Sequence, residues 1–332
     1  MTQDKSCARF ATVKTGILLT NLGTPNAPTP KAVRRYLAEF LSDPRVVKIP
    51  RLIWLPLLYG IILRVRPRKT AALYRAIWDN EKGSPLLYHS KDLTEKLHAL
   101  ADDKSISVKL AMRYGDPSLE QTLAAFREEQ IQRLIILPLY PQYAEATTGT
   151  TFAKVSEILT RWRWLPTIVS LHQYADNDAY IRAVADSIKQ HWQTTPKSEH
   201  LIFSYHGLPA DSRPKGDPYA CYCEKTTRLL RETLNLNNEE TTLTYQSRFG
   251  PAKWLQPYTI ETLTNLALQG VKSVDVVCPG FAVDCLETLE EIRIQNAEAF
   301  VEAGGERLNY IPALNASDQH AAMLYDIVKP YL

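Results

Sequence analysis

Residues 134–140 read LIILPLY, an apolar run with no polar alternation. A continuous apolar run is buried on both faces, and strands of that kind belong to parallel sheets covered by helices. Similar runs recur along the chain. Strands are expected at 16–22, 107–112, 134–140, 168–172, 200–205, 242–246, 274–278 and 308–311. Helical patterns separate them, at 117–129, 176–192, 223–234, 259–269 and 285–303. Strand–helix alternation gives a doubly wound α/β fold. Eight strands divide into two groups of four, and at roughly 150 residues per domain 332 residues make two domains. The expected division is 1–173 and 174–332, each a Rossmann-like domain with a four-stranded parallel sheet flanked by helices. No sequence repeat relates the halves. A last helix, 317–331, follows the eighth strand and is free to pack back on either half.

Composition removes several function classes. Lys and Arg total 39 against 36 Asp and Glu, too balanced for nucleic-acid binding as the main business. Gly 13 and Pro 21 are scattered, which excludes a long low-complexity tract. Five cysteines are too few for a disulfide scaffold, and the odd number suits reduced thiols in the cytoplasm. The N-terminal MTQDKSCARFATVKTG lacks the apolar core of a signal peptide. No stretch reaches the ~18 apolar residues of a spanning helix. The nearest is 52–63, LIWLPLLYGIIL, within a lip at 49–66. Two readings fit it: a buried helix, or an exposed apolar lip. Arg51, Arg64, Arg66, Arg68 and Lys69 favour a lip at a lipid surface, and so peripheral membrane contact at its inner face.

In open α/β sheets, ligands sit beyond the carboxyl ends of the strands. The first strand is followed by Asn21-Leu22-Gly23-Thr24-Pro25, with no glycine-rich dinucleotide fingerprint, and no Walker-type phosphate loop occurs. A nucleotide is therefore not expected. The strand 200–205 runs into His206-Gly207-Leu208-Pro209, which sets an imidazole where the chain turns. The strand 274–278 runs through Pro279-Gly280-Phe281 to a helix start rich in acids. Acids complement a helix N-terminus. Glu287, Glu291 and Glu298 are also spaced by four and seven, hence on one face of an α-helix. A carboxylate row of that kind can relay protons or hydrated cations.

The segments LLTNLGTP, LIFSYHGLP, YQSRFGPAKWLQPYT and CPGFAVDCLETLEEI resemble ferrochelatases, in the form found in proteobacteria. The resemblance covers nearly the whole chain in the family's order. It implies a lyase that inserts Fe(II) into protoporphyrin IX, releasing two protons and giving protohaem. It also implies a porphyrin cleft between two domains and no cofactor beyond the iron substrate. His206 resembles the family's proton-accepting histidine, and Glu287 its opposing carboxylate. Either can ligate ferrous iron. Glu291 and Glu298 would form a proton or metal path behind Glu287. Leu22, Tyr74, Arg113, Tyr114, Tyr140, Trp254 and Phe281 resemble porphyrin-pocket residues. Arg66 or Arg68, with Ser84, would meet the propionates.

The chain also departs from some relatives. It carries no cysteine-rich C-terminal extension, and Glu145 stands where cluster-bearing forms have an internal cysteine. An iron–sulfur cluster is not expected, although Cys221, Cys223, Cys278 and Cys285 supply four thiols. Cys285 occupies a position that is histidine in many relatives, leaving His206 as the one imidazole of the constellation. Three rivals explain less. A chelatase for a carboxylate-rich tetrapyrrole would need more basic groups. A haem carrier would not need the row of acids. A membrane adaptor would leave both strand-end motifs unused.

Overall fold

The computed structural model describes residues 13–250 and 252–332. The signal-peptide question falls largely on residues outside that range, as does Pro251 of the YQSRFGP motif. The first half runs β1 (Thr15–Gly23), α1 (Pro30–Leu41), α2 (Arg51–Leu57), α3 (Leu63–Ile77), α4 (Pro85–Ala101), β2 (Ile106–Tyr114), α5 (Leu119–Glu128), β3 (Arg133–Pro138), α6 (Thr150–Leu159) and β4 (Thr167–Ser170). The second half runs α7 (Asp178–Thr194), β5 (His200–His206), α8 (Tyr219–Leu234), β6 (Thr241–Gln246), α9 (Thr259–Leu268), β7 (Ser273–Val277), α10 (Ala297–Glu302), β8 (Arg307–Ile311) and α11 (Asp318–Val328).

All eight expected strands form, in two parallel sheets ordered β2-β1-β3-β4 and β6-β5-β7-β8. The central strands are buried along nearly their whole length, which is what their continuous apolar runs require. One core cluster draws on both halves, from Ile17 and Leu93 to Phe203 and Val277. The last helix, α11, lies against both α4 and α7, and Lys96 of α4 reaches Asp318 at 2.6 Å.

Two segments differ from the sequence expectation. Residues 285–303 do not form one α-helix: Leu286–Asn296 is a π-helix, and only Ala297–Glu302 is α-helical. The wider i→i+5 turn changes which side chains share a face. The lip is neither wholly buried nor wholly exposed. It continues from α2 through a π-helical turn, Leu58–Ile62, into α3. Trp54, Leu58 and Leu63 enter the core, while Leu52 is 92% exposed and Ile53, Ile61 and Val65 also face solvent. No helix among the described residues is long and apolar enough to cross a membrane.

Candidate active site

His206 is the last residue of β5, paired in register with Gln246 at the end of β6. Its Nδ1 lies 2.7 Å from the Gly207 carbonyl. A carbonyl only accepts, so Nδ1 carries a proton and Nε2 is the nitrogen left free to meet a substrate. A glycine is needed next to it. A Cβ at Gly207 would stand 2.8 Å from the Gln246 carbonyl and 3.1 Å from the Trp254 ring, so backbone and indole close over this turn. The Trp254 indole N–H donates to the Phe249 carbonyl at 2.8 Å. Arg66 of α3 places its guanidinium 4.4 Å from the Phe249 ring centre, joining the lip to this loop.

The π-helix brings its acids to two different neighbours. Glu291 accepts the Ser247 N–H at 2.6 Å, the Ser247 hydroxyl, and Gln246 Nε2 at 3.3 Å. Ser247 has a φ of +64°, in the left-handed region. Burial pushes the Glu291 carboxyl up, against the pull of Ser247 and of His206. Glu287 also acts on tyrosines of the first half. Burial drives the phenols of Tyr36, Tyr74 and Tyr140 well up, and the Glu287 carboxylate pushes each in the same direction. Burial, then Glu287, likewise pushes up the Cys285 thiol. The Tyr140 hydroxyl is buried with no protein partner among the described residues.

Glu298 lies exposed on α10. The carboxylate it presses on is Glu290, which is 6% exposed and held by Gln295 Nε2 at 2.8 and 2.9 Å. Burial is the main cause that raises the Glu290 carboxyl, with Glu298 and Glu287 adding to it. Glu290 thus feels both Glu287 and Glu298, while Glu291 is bonded to Ser247 and Gln246 on the His206 side.

The expected porphyrin contacts separate into groups. Tyr74, Tyr114 and Leu22 belong to one cluster that also touches Leu286. Arg113 is not free: its guanidinium pairs with Asp43 and bonds Thr150 Oγ1 at 2.8 Å. Asp43 also accepts the Tyr114 hydroxyl at 3.0 Å. Burial opposes the Asp43 charge, but Thr150, the Arg45 N–H and Arg113 outweigh it and hold its carboxyl below the usual range. Ser84 is buried, 2.8 Å from the Thr24 hydroxyl. Arg68 is exposed and Arg66 half-buried. Phe281 lies elsewhere, in the wall of a small cavity beside Tyr174, Tyr180 and His320. Cys223, Cys278 and Cys285 are buried and Cys221 is exposed. Among the described residues, no three His, Cys, Asp or Glu side chains are grouped to hold a metal.

Sequence reasoning missed Tyr36, Gln246, Ser247 and Glu290. Tyr36 sits among Val33, Leu37 and Leu41 on the buried stripe of α1, and reads as core. Gln246 and Ser247 were available as signals, being polar residues at the end of a strand that pairs with the histidine's strand.

Two matching parallel sheets, with an imidazole, carboxylates and tyrosines gathered beyond their strand ends, define a chelatase-type α/β protein. SirB from Bacillus subtilis, solved with Fe3+, has this fold, with a TM-score of 0.55 at 11% identity over 96% of this chain and 95% of that one. CbiX, described as the terminal enzyme of sirohaem biosynthesis in denitrifying bacteria, has it too, with a TM-score of 0.51 at 13% identity over 96% and 99%. The chain belongs to the ferrochelatase family, whose model matches residues 14–332. Ferrochelatase 2 of Shewanella oneidensis is 54% identical over 96% of this chain and 98% of its own length. The ferrochelatase of Methylococcus capsulatus is 53% identical over 96% and 97%.

Proposed function

We propose that this protein inserts Fe(II) into protoporphyrin IX, giving protohaem and two protons. The observation that carries the reading is the pairing of an imidazole on one strand end with acids on the adjoining π-helix, opposite a wall of buried tyrosines. Metallation removes two pyrrole protons, and His206 Nε2 is the base that takes the first. Glu287, against Tyr36, Tyr74 and Tyr140, handles iron or the second proton. Glu291 and Glu298 serve the path that leads away, with Glu290 between Glu287 and Glu298. Leu22, Tyr74, Tyr114, Tyr140 and Trp254 give apolar walls to the macrocycle. Arg66, Arg68 and Ser84 meet its propionates, and Arg66 would exchange the Phe249 ring for one of them. Arg113, already paired with Asp43, shapes the wall rather than binding a propionate. Phe281 supports the turn from behind. No nucleotide and no iron–sulfur cluster take part.

The exposed Leu52, Ile53, Ile61 and Val65, bordered by Arg64, Arg68 and Lys69, suit peripheral contact with the cytoplasmic face of a membrane. Porphyrin and haem would cross that rim without entering water. The direct test is anaerobic incubation with Fe(II) and protoporphyrin IX. Loss of porphyrin fluorescence and appearance of the protohaem spectrum are expected, and an unmetallated porphyrin after many turnover times would refute the reading.

A further inference from the structure

Asn315 lies between β8 and α11, yet it spends its polar groups on the chain that enters the π-helix. Its N–H donates to the Ala282 carbonyl at 3.1 Å. Its Oδ1 accepts the Asp284 N–H at 2.7 Å, and its Nδ2 donates to Asp284 Oδ2 at 2.7 Å. Its own carbonyl accepts from His320 Nδ1 at 2.6 Å. A φ of +49° places it in the left-handed region, where Asn and Gly are at home.

Asp284 passes this restraint on. Its Oδ1 accepts the Thr288 hydroxyl at 3.0 Å and the Tyr310 hydroxyl. Thr288 Oγ1 in turn accepts the Cys285 N–H at 3.0 Å. The first turn of the π-helix, with Glu287 in its middle, is therefore clamped from the side that faces away from the proposed substrate.

His320 is 1% exposed. With its proton on Nδ1, the lone pair of Nε2 has no protein partner among the described residues, and neither has the Tyr174 hydroxyl. Both residues line one cavity of about 10 Å³, behind Cys278, Pro279 and Phe281. That volume is enough for about one water molecule. A water there would donate to His320 Nε2 and accept from the Tyr174 hydroxyl.

We propose that Asn315 and His320 are positioning residues for Glu287, acting through Asp284, and that one buried water completes their bracing. This rests on the catalytic reading of Glu287. The test compares steady-state kinetics and thermal midpoints of Asn315→Gly, His320→Phe and His320→Asn. Asn315→Gly tolerates the left-handed φ and loses only the side-chain bonds. It is expected to lower kcat about tenfold, with KM for porphyrin within about twofold of wild type. His320→Phe is expected to lower kcat several-fold. His320→Asn, whose amide N–H can replace Nδ1–H, should recover most of that loss. Wild-type kcat in Asn315→Gly beside an inactive Glu287→Gln would overturn the proposal. An active Glu287→Gln would overturn the catalytic reading itself, and with it the purpose of the brace. Should Asn315→Gly not fold, equal kcat per folded molecule in the two His320 variants is the overturning result. A crystal structure with no water within hydrogen-bond reach of both His320 Nε2 and the Tyr174 hydroxyl would remove the water from the brace.

Discussion

The two halves repeat one plan down to an irregularity. In each, the third strand in chain order leads into a π-helical segment: β3 into Glu145–Gly149 and β7 into Leu286–Asn296. What differs is how their charges are answered. In the first half, Glu145 meets Lys48 at 2.6 Å and Arg45 at 3.6 Å, and Arg113 is paired with Asp43. In the second half, Glu287, Glu290 and Glu291 have no Lys or Arg ion pair among the described residues. Glu291 is held by Gln246 and Ser247, and Glu290 by Gln295. Neutralised charge makes a wall, whereas carboxylates left without a fixed cation stay available to a proton or a metal ion.

The largest expected effect tests that contrast directly. His206→Ala should lower metallation by at least about 10²-fold while porphyrin binding persists, because a general base typically supplies 10²–10⁴-fold. Glu287→Gln should be comparably severe, Glu291→Gln partial and Glu298→Gln milder. Glu145→Gln, in the matching segment, should leave turnover within about twofold. Steady-state assays on all five would break the comparison if Glu145→Gln proved as damaging as Glu287→Gln.

Next in size is the paired charge of the first half. Asp43→Asn leaves the Arg113 guanidinium buried without its counter-charge. Breaking a buried pair costs about 3–5 kcal/mol. Denaturant unfolding should show a loss of that order, with the double variant Asp43→Asn/Arg113→Met losing less because it also removes the stranded charge. Equal losses in both variants would mean that packing, not charge, is what matters there.

A further difference lies in acid response. Burial lowers His320 to about 4, far below an unfolded histidine near 6.5. The unfolded chain therefore takes up a proton that the folded one refuses. The contribution is complete above pH 6.5 and is lost as pH falls toward 4, by up to about 3 kcal/mol. In His320→Phe the slope of stability against pH between 6.5 and 4 should flatten by roughly one proton. An unchanged slope would show that His320 is already charged in the fold.

The smallest effect belongs to the lip. Each exposed leucine or isoleucine that enters lipid gains on the order of 1–2 kcal/mol. Leu52→Glu and Ile61→Glu should weaken vesicle binding and slow uptake of membrane-held porphyrin, and leave turnover with a detergent-solubilised porphyrin nearly unchanged. Equal loss with both substrate forms would place those residues in the folding core. Leu58, fully buried, is the control expected to destabilise the protein instead.

Much of the scaffold could be read from the chain. LIILPLY and its counterparts announce buried parallel strands because burial on both faces leaves no polar alternation. His206 stood out because it follows an apolar strand directly, and Glu287 because it lies at the acid-rich helix start beyond another strand's end, where α/β folds place ligands. The path was harder. Spacings of four and seven put Glu287, Glu291 and Glu298 on one α-helical face, but a π-helix has a different period, and no residue type announces one. Hence Glu290, next in sequence to a chosen residue, went unnoticed.

Sequence alone determined the strand runs, the residue types at their ends and the family motifs, since these follow from local burial pattern and order along the chain. Tertiary structure decided the rest. It commits Arg113 to Asp43, residues 70 apart, a partner that the order of the chain does not announce. It brings Tyr36 to Glu287 and Asn315 to Asp284 across separate elements. It divides the lip into a core face and a solvent face. Each of these depends on which distant surfaces meet, and contact between distant residues carries no local signature in the chain.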